Sequence, residues 1–316
     1  MTSPGSAADG QRPDALATPL LDGRDAPAPQ LVLPRATLDF RRRTAVMGIV
    51  NRTPDSFYDR GATFAFDAAL DAASRQVAGG ADIIDVGGIK GGPGAEVSVT
   101  EEIDRVVPFI AALRESHADV LISVDTFRAP VADAALVAGA DIVNDVTGLH
   151  DAEVLDVVVA HDAGYIAMHH GGRPRIRPFR RDFEPDVTTA VVVQCGALST
   201  RAWQAGVDPR RLIVDPGHDF QKTTAQSLEV TRRLPELAAL GFPVLVALSN
   251  KDFIGETLRA PIDRRVDGSL AAAVFSVLRG AHIVRVHEVE RTVDVLQMTA
   301  ALLGWQPPRI ATRGLE

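Results

Sequence analysis

At 316 residues, with 46% hydrophobic and 23% charged side chains, the chain has material for one large barrel or two ordinary domains, and its composition excludes a disordered or membrane class. A net charge of −8 argues against a nucleic-acid surface spread over the whole molecule. The one cysteine, Cys195, excludes an intrachain disulfide and fits a reducing cytosol.

Residues 1–30, rich in Ala, Pro, Gly and Asp, read as a mobile leader, because such a segment buries too little to offset its ordering entropy. Nothing in it matches a basic stretch followed by an apolar core, so no secretion signal is expected. From residue 31 to 305 one pattern recurs, and residues 306–316 form a tail. The apolar run 44–50 is a strand and 65–80 an amphipathic helix; 82–86 precedes the helix 99–116, 120–126 the helix 129–140, and 141–146 the helix 152–162. The second half continues with 165–169 before 187–205, 211–215 before 223–241, 243–249 before helical segments reaching 280, and 282–286 before 289–304. Cys195 lies within a helical run with no neighbouring base, which suits packing. Strands that are apolar throughout are buried on both faces, hence parallel. Eight such units predict an α/β fold, a closed (β/α)8 TIM barrel, with a doubly wound open sheet as the alternative.

A barrel demands that polar chemistry gather just after the strands, at their C-terminal mouth. Strand ends carry Asn51, Asp85, Asp125, Asn144 with Asp145, the pair His169 and His170, Asp215, the run Ser249-Asn250-Lys251, and Arg285 with His287. Strand starts carry little of the kind. In a water-poor cavity, Asp125, Asn144 and Asp215 need donors, and a flat heterocycle with an N–H edge, such as a pterin, would supply them. Lys251 would pair with a carboxylate or cap the ring's keto oxygen. For each Asp alone a barrel salt bridge is the competing reading.

The segments "MGIVNRTPDSFYDRG" (47–61), "ISVDTFRAPVADAAL" (122–136), "IVNDVTG" (142–148), "LIVDPGHDFQKT" (212–223), "LSNKDFIG" (248–255) and "RVHEV" (285–289) resemble, in order, the signatures of the dihydropteroate synthase family. The resemblance implies a homodimeric barrel that joins 6-hydroxymethyl-dihydropterin diphosphate to para-aminobenzoate with Mg²⁺ assistance. It carries the pterin pocket onto Asp125, Asn144, Asp215 and Lys251, and the anion site onto Asn51, Arg285 and His287, with Asn51 also beside the metal. Lys251, Arg285 and His287 take the catalytic roles by the same resemblance.

The chain departs from the family pattern on one side of that site. Where the family loop after the second strand resembles "GGESTRPGA", this chain reads Gly87-Gly88-Ile89-Lys90-Gly91-Gly92-Pro93-Gly94-Ala95, losing two hydroxyls and a forked guanidinium. Ser-Arg-Lys becomes Ser249-Asn250-Lys251, and "DPGIGFGKT" becomes "DPGHDFQKT", which places His218 and Asp219 in a normally uncharged loop. Arg52 and Arg60 replace an apolar residue and a glycine. These losses favour a family member that no longer works as a synthase and keeps at most weak pterin or aryl-ligand binding. An active synthase in which Arg52, Arg60 or Lys90 replaces the lost cations is the alternative; a methyltransferase of the same barrel type fits the "TPDSF" segment poorly. The arginine-rich run 173–181 reads as a solvated loop, with anion binding as the lesser reading.

Overall fold

The computed structural model describes residues 29–53, 65–89, 96–170 and 182–313. The leader up to residue 28, Arg60, Lys90 with Gly91 and Gly92, and the arginine-rich run lie outside the described residues.

A short hairpin of β1 (Gln30–Val32) and β2 (Thr37–Asp39) comes first. Then follow β3 (Ala45–Asn51), α1 (Phe66–Ala78), β4 (Ile83–Gly87), α2 (Val99–Ser116), β5 (Leu121–Asp125), α3 (Ala129–Val137), β6 (Ile142–Asp145), α4 (Glu153–Ala160), β7 (Gly164–Met168) and α5 (Val187–Ala205). The second half comprises β8 (Leu212–Asp215), α6 (Thr224–Arg232), α7 (Leu234–Ala238), β9 (Leu245–Ala247), α8 (Asp252–Leu258), α9 (Val266–Leu278), β10 (Ile283–Val286) and α10 (Val289–Leu302). The eight strands β3 to β10 pair in parallel in the order β8-β7-β6-β5-β4-β3-β10-β9, and a parallel bridge between Val214 and Val244 closes the ring. The fold is a (β/α)8 barrel, as its strand pattern predicts. The expected helix 223–241 is two helices, because Pro235 opens α7 and cannot continue the turn before it.

Alternation along each strand sorts the core into two layers. Outward residues such as Val46, Ile84, Ile122, Val143, Val214, Val246 and Val284 pack beneath the helices. Inward residues at the strand starts, among them Met47, Ile83, Leu121, Ile142, Ile166, Ile213, Leu245 and Ile283, form a second cluster. The hairpin seals that cluster from below with Leu31, Leu33, Leu38 and Phe40. Burial of each such side chain stabilises the fold by about 1.5–3 kcal/mol.

Strand starts do carry carboxylates, contrary to the expectation from sequence, and these serve the barrel itself. Asp82 accepts from the Val46 amide at 2.9 Å, and Asp141 accepts from the Ile122 amide at 2.8 Å and from Arg114 at 2.6 Å. Each ties the foot of one strand to its neighbour. Capping is similarly local. Ser98 accepts from the Glu101 amide at the start of α2, Asp186 from the Thr189 amide at the start of α5, and Thr223 with Gln226 forms a capping box on α6. No helix among the described residues is long and apolar enough to cross a membrane.

Candidate ligand site at the barrel mouth

One step up from the apolar inward layer the interior turns polar. Two residues beyond Ile83, Leu121, Ile142, Ile213 and Ile283 stand Asp85, Ser123, Asn144, Asp215 and Arg285, which the period of two places on the same inner face. Asp125 follows one layer higher on β5, in register with Gly87 and Asn144. Asn51, the last residue of β3, is in register with Gly87.

Arg285 crosses the interior and joins two carboxylates, donating from Nε to Asp85 at 2.6 Å and from Nη2 to Asp125 at 3.1 Å. Asn144 donates through Nδ2 to both Asp85 oxygens, at 3.4 and 3.3 Å. That fixes the amide's orientation and leaves Asn144 Oδ1 buried with no partner. Ser123 Oγ is likewise buried and unpartnered. Burial, and then the charge of Asp85, pushes the Asp125 carboxyl up to about 8. Burial also raises Asp215, against the opposing pull of Lys251; its Oδ1 accepts from the Gly217 amide at 2.7 Å.

Sequence alone marks Asp85 as a strand-end carboxylate and leaves it out of the expected pterin set; the structure puts it at the centre of the inner polar network. It is fully buried and shared by Arg285 and Asn144. Its signal is present in "DIIDV": a charge two residues after an inward isoleucine. Asp145, next to Asn144, faces outward. It accepts from the Thr147 and Leu149 amides and from Tyr165 Oη, closing the turn after β6. Neighbouring residues on a strand cannot both point inward.

His287 bonds Ser249 Oγ through Nδ1 at 3.0 Å, and burial, with Arg285 adding to it, depresses its pKa to about 3. The Arg52 guanidinium lies between α1 and α2, over the rings of Phe66 and Phe109 at 5.6 and 5.3 Å, and donates to the Ala65 and Arg105 carbonyls. Gly88, in the loop after β4, is required by packing, since a Cβ there would lie 2.8 Å from Val106 of α2.

The loops after β8 and β9 form the other side. Lys251 donates to the His218 carbonyl and lies 5.0 Å from the centre of the Phe220 ring. Asp219 accepts from the Asp252 amide at 2.6 Å and from the Phe253 amide at 3.4 Å. Three residues here hold left-handed backbone without being glycine: Asp219 at φ +64°, Gln221 at φ +54° and Asn250 at φ +58°. Asn250 is fully buried, its carbonyl held by Arg265 at 2.9 Å. Behind the loop, Lys222 is buried and donates to His169 Nδ1, to the Gly217 carbonyl and to the Phe220 carbonyl; burial depresses its pKa to about 7. His169 is therefore engaged with a lysine, and no metal-holding cluster of His, Cys, Asp and Glu occurs among the described residues. Cys195 is buried, and its thiol is pushed up to about 12 by burial, as a packing residue requires.

A closed parallel barrel with a polar inner layer at its C-terminal mouth defines the class of small-molecule ligand barrels. Within that class the chain belongs to the pterin binding enzyme family, whose sequence model matches residues 47–287. It is 50% identical over 277 residues to "Inactive dihydropteroate synthase 2" of Mycobacterium tuberculosis strain H37Rv, covering 86% of this chain and 87% of that one. It is 43% identical to the dihydropteroate synthase of a Synechocystis species, over 87% of this chain and 95% of the relative. The crystal structure of Yersinia pestis dihydropteroate synthase in a sulfonamide drug complex superposes with a TM-score of 0.82 at 36% identity, covering 88% of this chain and all of that one.

Proposed function

We infer that the mouth is a pterin pocket in a protein that has lost synthase turnover. The observation that carries this reading is Asn144 Oδ1, a buried acceptor with no protein partner, in the same inner layer as Asp215 and beside Asp125. An acceptor set of this kind calls for a ligand rich in N–H donors, and the 2-amino-4-oxo edge of a pterin meets it. Asp125, Asn144 and Asp215 would receive the ring, with Lys251 at its keto oxygen. Arg285 and His287, with Asn51 above them, would face the diphosphate.

Several features support the absence of turnover. The hydroxyls and guanidinium of the family's loop are replaced at Ile89 to Gly92, and the cation after β9 by a buried asparagine. Arg285 is already committed to two carboxylates, and Arg52 is packed between helices. Removing one charge-assisted hydrogen bond to a phosphate or carboxylate costs about 1.5–3 kcal/mol. The similarity to a protein named as an inactive synthase agrees with this reading. Mg²⁺, implied by the resemblance, would be held through Asn51 and the oxygens of a bound diphosphate, since no group of three or more metal-binding side chains occurs among the described residues. Any such ion would arrive with a diphosphate. Homodimer formation, implied by the resemblance, is compatible with the exposed Phe275, Met298 and Leu302 on α9 and α10, and sedimentation would measure it.

Calorimetric titration with 6-hydroxymethyl-dihydropterin diphosphate, alongside a synthase assay on the purified protein, tests both halves of the reading. Measurable pterin binding without turnover is expected. Turnover at the level of an active synthase, or no pterin binding at all, contradicts it.

A further inference from the structure

The loop "DPGHDFQKT" puts a carboxylate where the family pattern has glycine, and the structure shows how it is used. Asp219 keeps the left-handed backbone, φ +64°, that a glycine would take without cost. Its Oδ2 takes the Asp252 and Phe253 amides, while Ser227 Oγ reaches Oδ1 at 3.4 Å. The carboxylate thereby ties the loop after β8 to the chain after β9, beside Phe220 and Lys251, both half-buried.

The cations on this side are already engaged. Lys251 gives its ammonium to the His218 carbonyl, Lys222 is buried behind the loop, and Arg265 pairs with Asp252 at 3.0 Å while holding the Asn250 carbonyl. A guanidinium that the family pattern places after β9 is Asn250 here, fully buried. An arriving aryl carboxylate would meet two backbone donors already taken and a Lys251 ammonium whose charge the Asp219 carboxylate already offsets. A neutral aryl group needs neither donor nor cation to meet the Phe220 ring.

We propose that Asp219 sets the aryl specificity of the mouth, barring aryl carboxylates from the β8–β9 side and admitting uncharged arylamines of the same size. The proposal rests on the pterin reading above, since the aryl group is taken to bind beside an occupied ring pocket.

The test uses the full-length protein, saturated with 6-hydroxymethylpterin, and compares 4-aminobenzoate with its neutral isostere 4-aminobenzamide by calorimetry. The wild type, Asp219→Asn and Asp219→Gly are measured in parallel. Both substitutions suit left-handed backbone, and the asparagine keeps an acceptor for the two amides while removing the charge. Wild type should prefer the amide by at least about tenfold, and both variants should move the ratio toward the carboxylate by about tenfold, equivalent to about 1.4 kcal/mol. Equal affinity of the wild type for the two compounds would overturn the proposal. An unmoved ratio in both variants, or no aryl binding to any of the three proteins while the pterin binds, would do the same. A separate titration with the pterin alone tells the two readings apart: no binding there removes the pterin reading, and this proposal with it.

Discussion

On the β4, β5, β6 and β10 side of the mouth the polar groups stand on the strands themselves; on the β8–β9 side most stand on loops. The first set, Asp85, Asp125, Asn144 and Arg285, forms one connected network whose spacing is fixed by barrel register. The second set, His218 to Lys222 and Asn250 to Asp252, is held by loop contacts and carries three strained non-glycine residues. Register cannot drift without turning a whole strand inside out. A loop can exchange glycine for aspartate and recover part of the cost in a new cap. The strand-borne half therefore keeps the residues expected of a pterin pocket, while the loop-borne half has diverged.

If the strand-borne network is one unit, removing its cation should have the largest effect. Arg285→Met leaves Asp85, fully buried, and Asp125 without their shared partner. Breaking a buried ion pair from one side costs about 3–5 kcal/mol, which urea denaturation reads directly. A loss below about 1 kcal/mol, within the range of exposed ion pairs, would mean that the network is no more than a set of surface-like contacts.

A second measurement follows Asp125 by pH. The folded-state pKa of Asp125 is raised to about 8 from an ordinary value of 3.8. Between those values the folded protein holds a proton that the unfolded chain has released, so raising the pH favours unfolding. This contribution to stability is fully present below the lower value and is lost as pH rises through the upper one. Asp125→Asn imitates the protonated carboxyl and should flatten the decline in thermal midpoint between about pH 5 and pH 9. The comparison is of slopes, so titrating groups remote from the Arg285 network cancel. Parallel profiles for wild type and variant would show that Asp125 is not the group that responds.

The barrel is legible in the sequence because eight apolar runs, each followed by helical periodicity, leave few alternatives. The site is legible in kind, since polar residues follow those runs. Phase within a strand decides the details. Asn144 faces in and Asp145 out, and Asp85 shares the inner face with Asn144 and Arg285. The hairpin escapes notice because its strands are three residues each, too short for alternation to register. For Arg52, charge is visible in sequence and direction is not; two phenylalanines, at 66 and 109, hold it between helices. For Asp219 the sequence shows a misplaced charge, but the amides that receive it lie 33 and 34 residues away.

The smallest expected effect sharpens the loop-borne side. Asp219→Ala and Asp219→Gly both remove the carboxylate that accepts from Asp252 and Phe253, at a cost comparable to losing a helix cap, about 0.5–2 kcal/mol. They differ in backbone. At φ +64° alanine adds about 1–2 kcal/mol of left-handed strain that glycine avoids. Glycine loses more conformational freedom on folding, which offsets about 0.5–1 kcal/mol of that difference. Asp219→Gly should therefore be more stable than Asp219→Ala by about 0.5–1 kcal/mol, contrary to the order at an ordinary exposed position, where alanine is preferred. Chemical denaturation of the two variants side by side reads the sign. If alanine is the more stable, the loop has relaxed out of its left-handed turn once the carboxylate is gone. The β8–β9 side would then owe its shape to the Asp219 contacts, with no glycine-like backbone inherited beneath them.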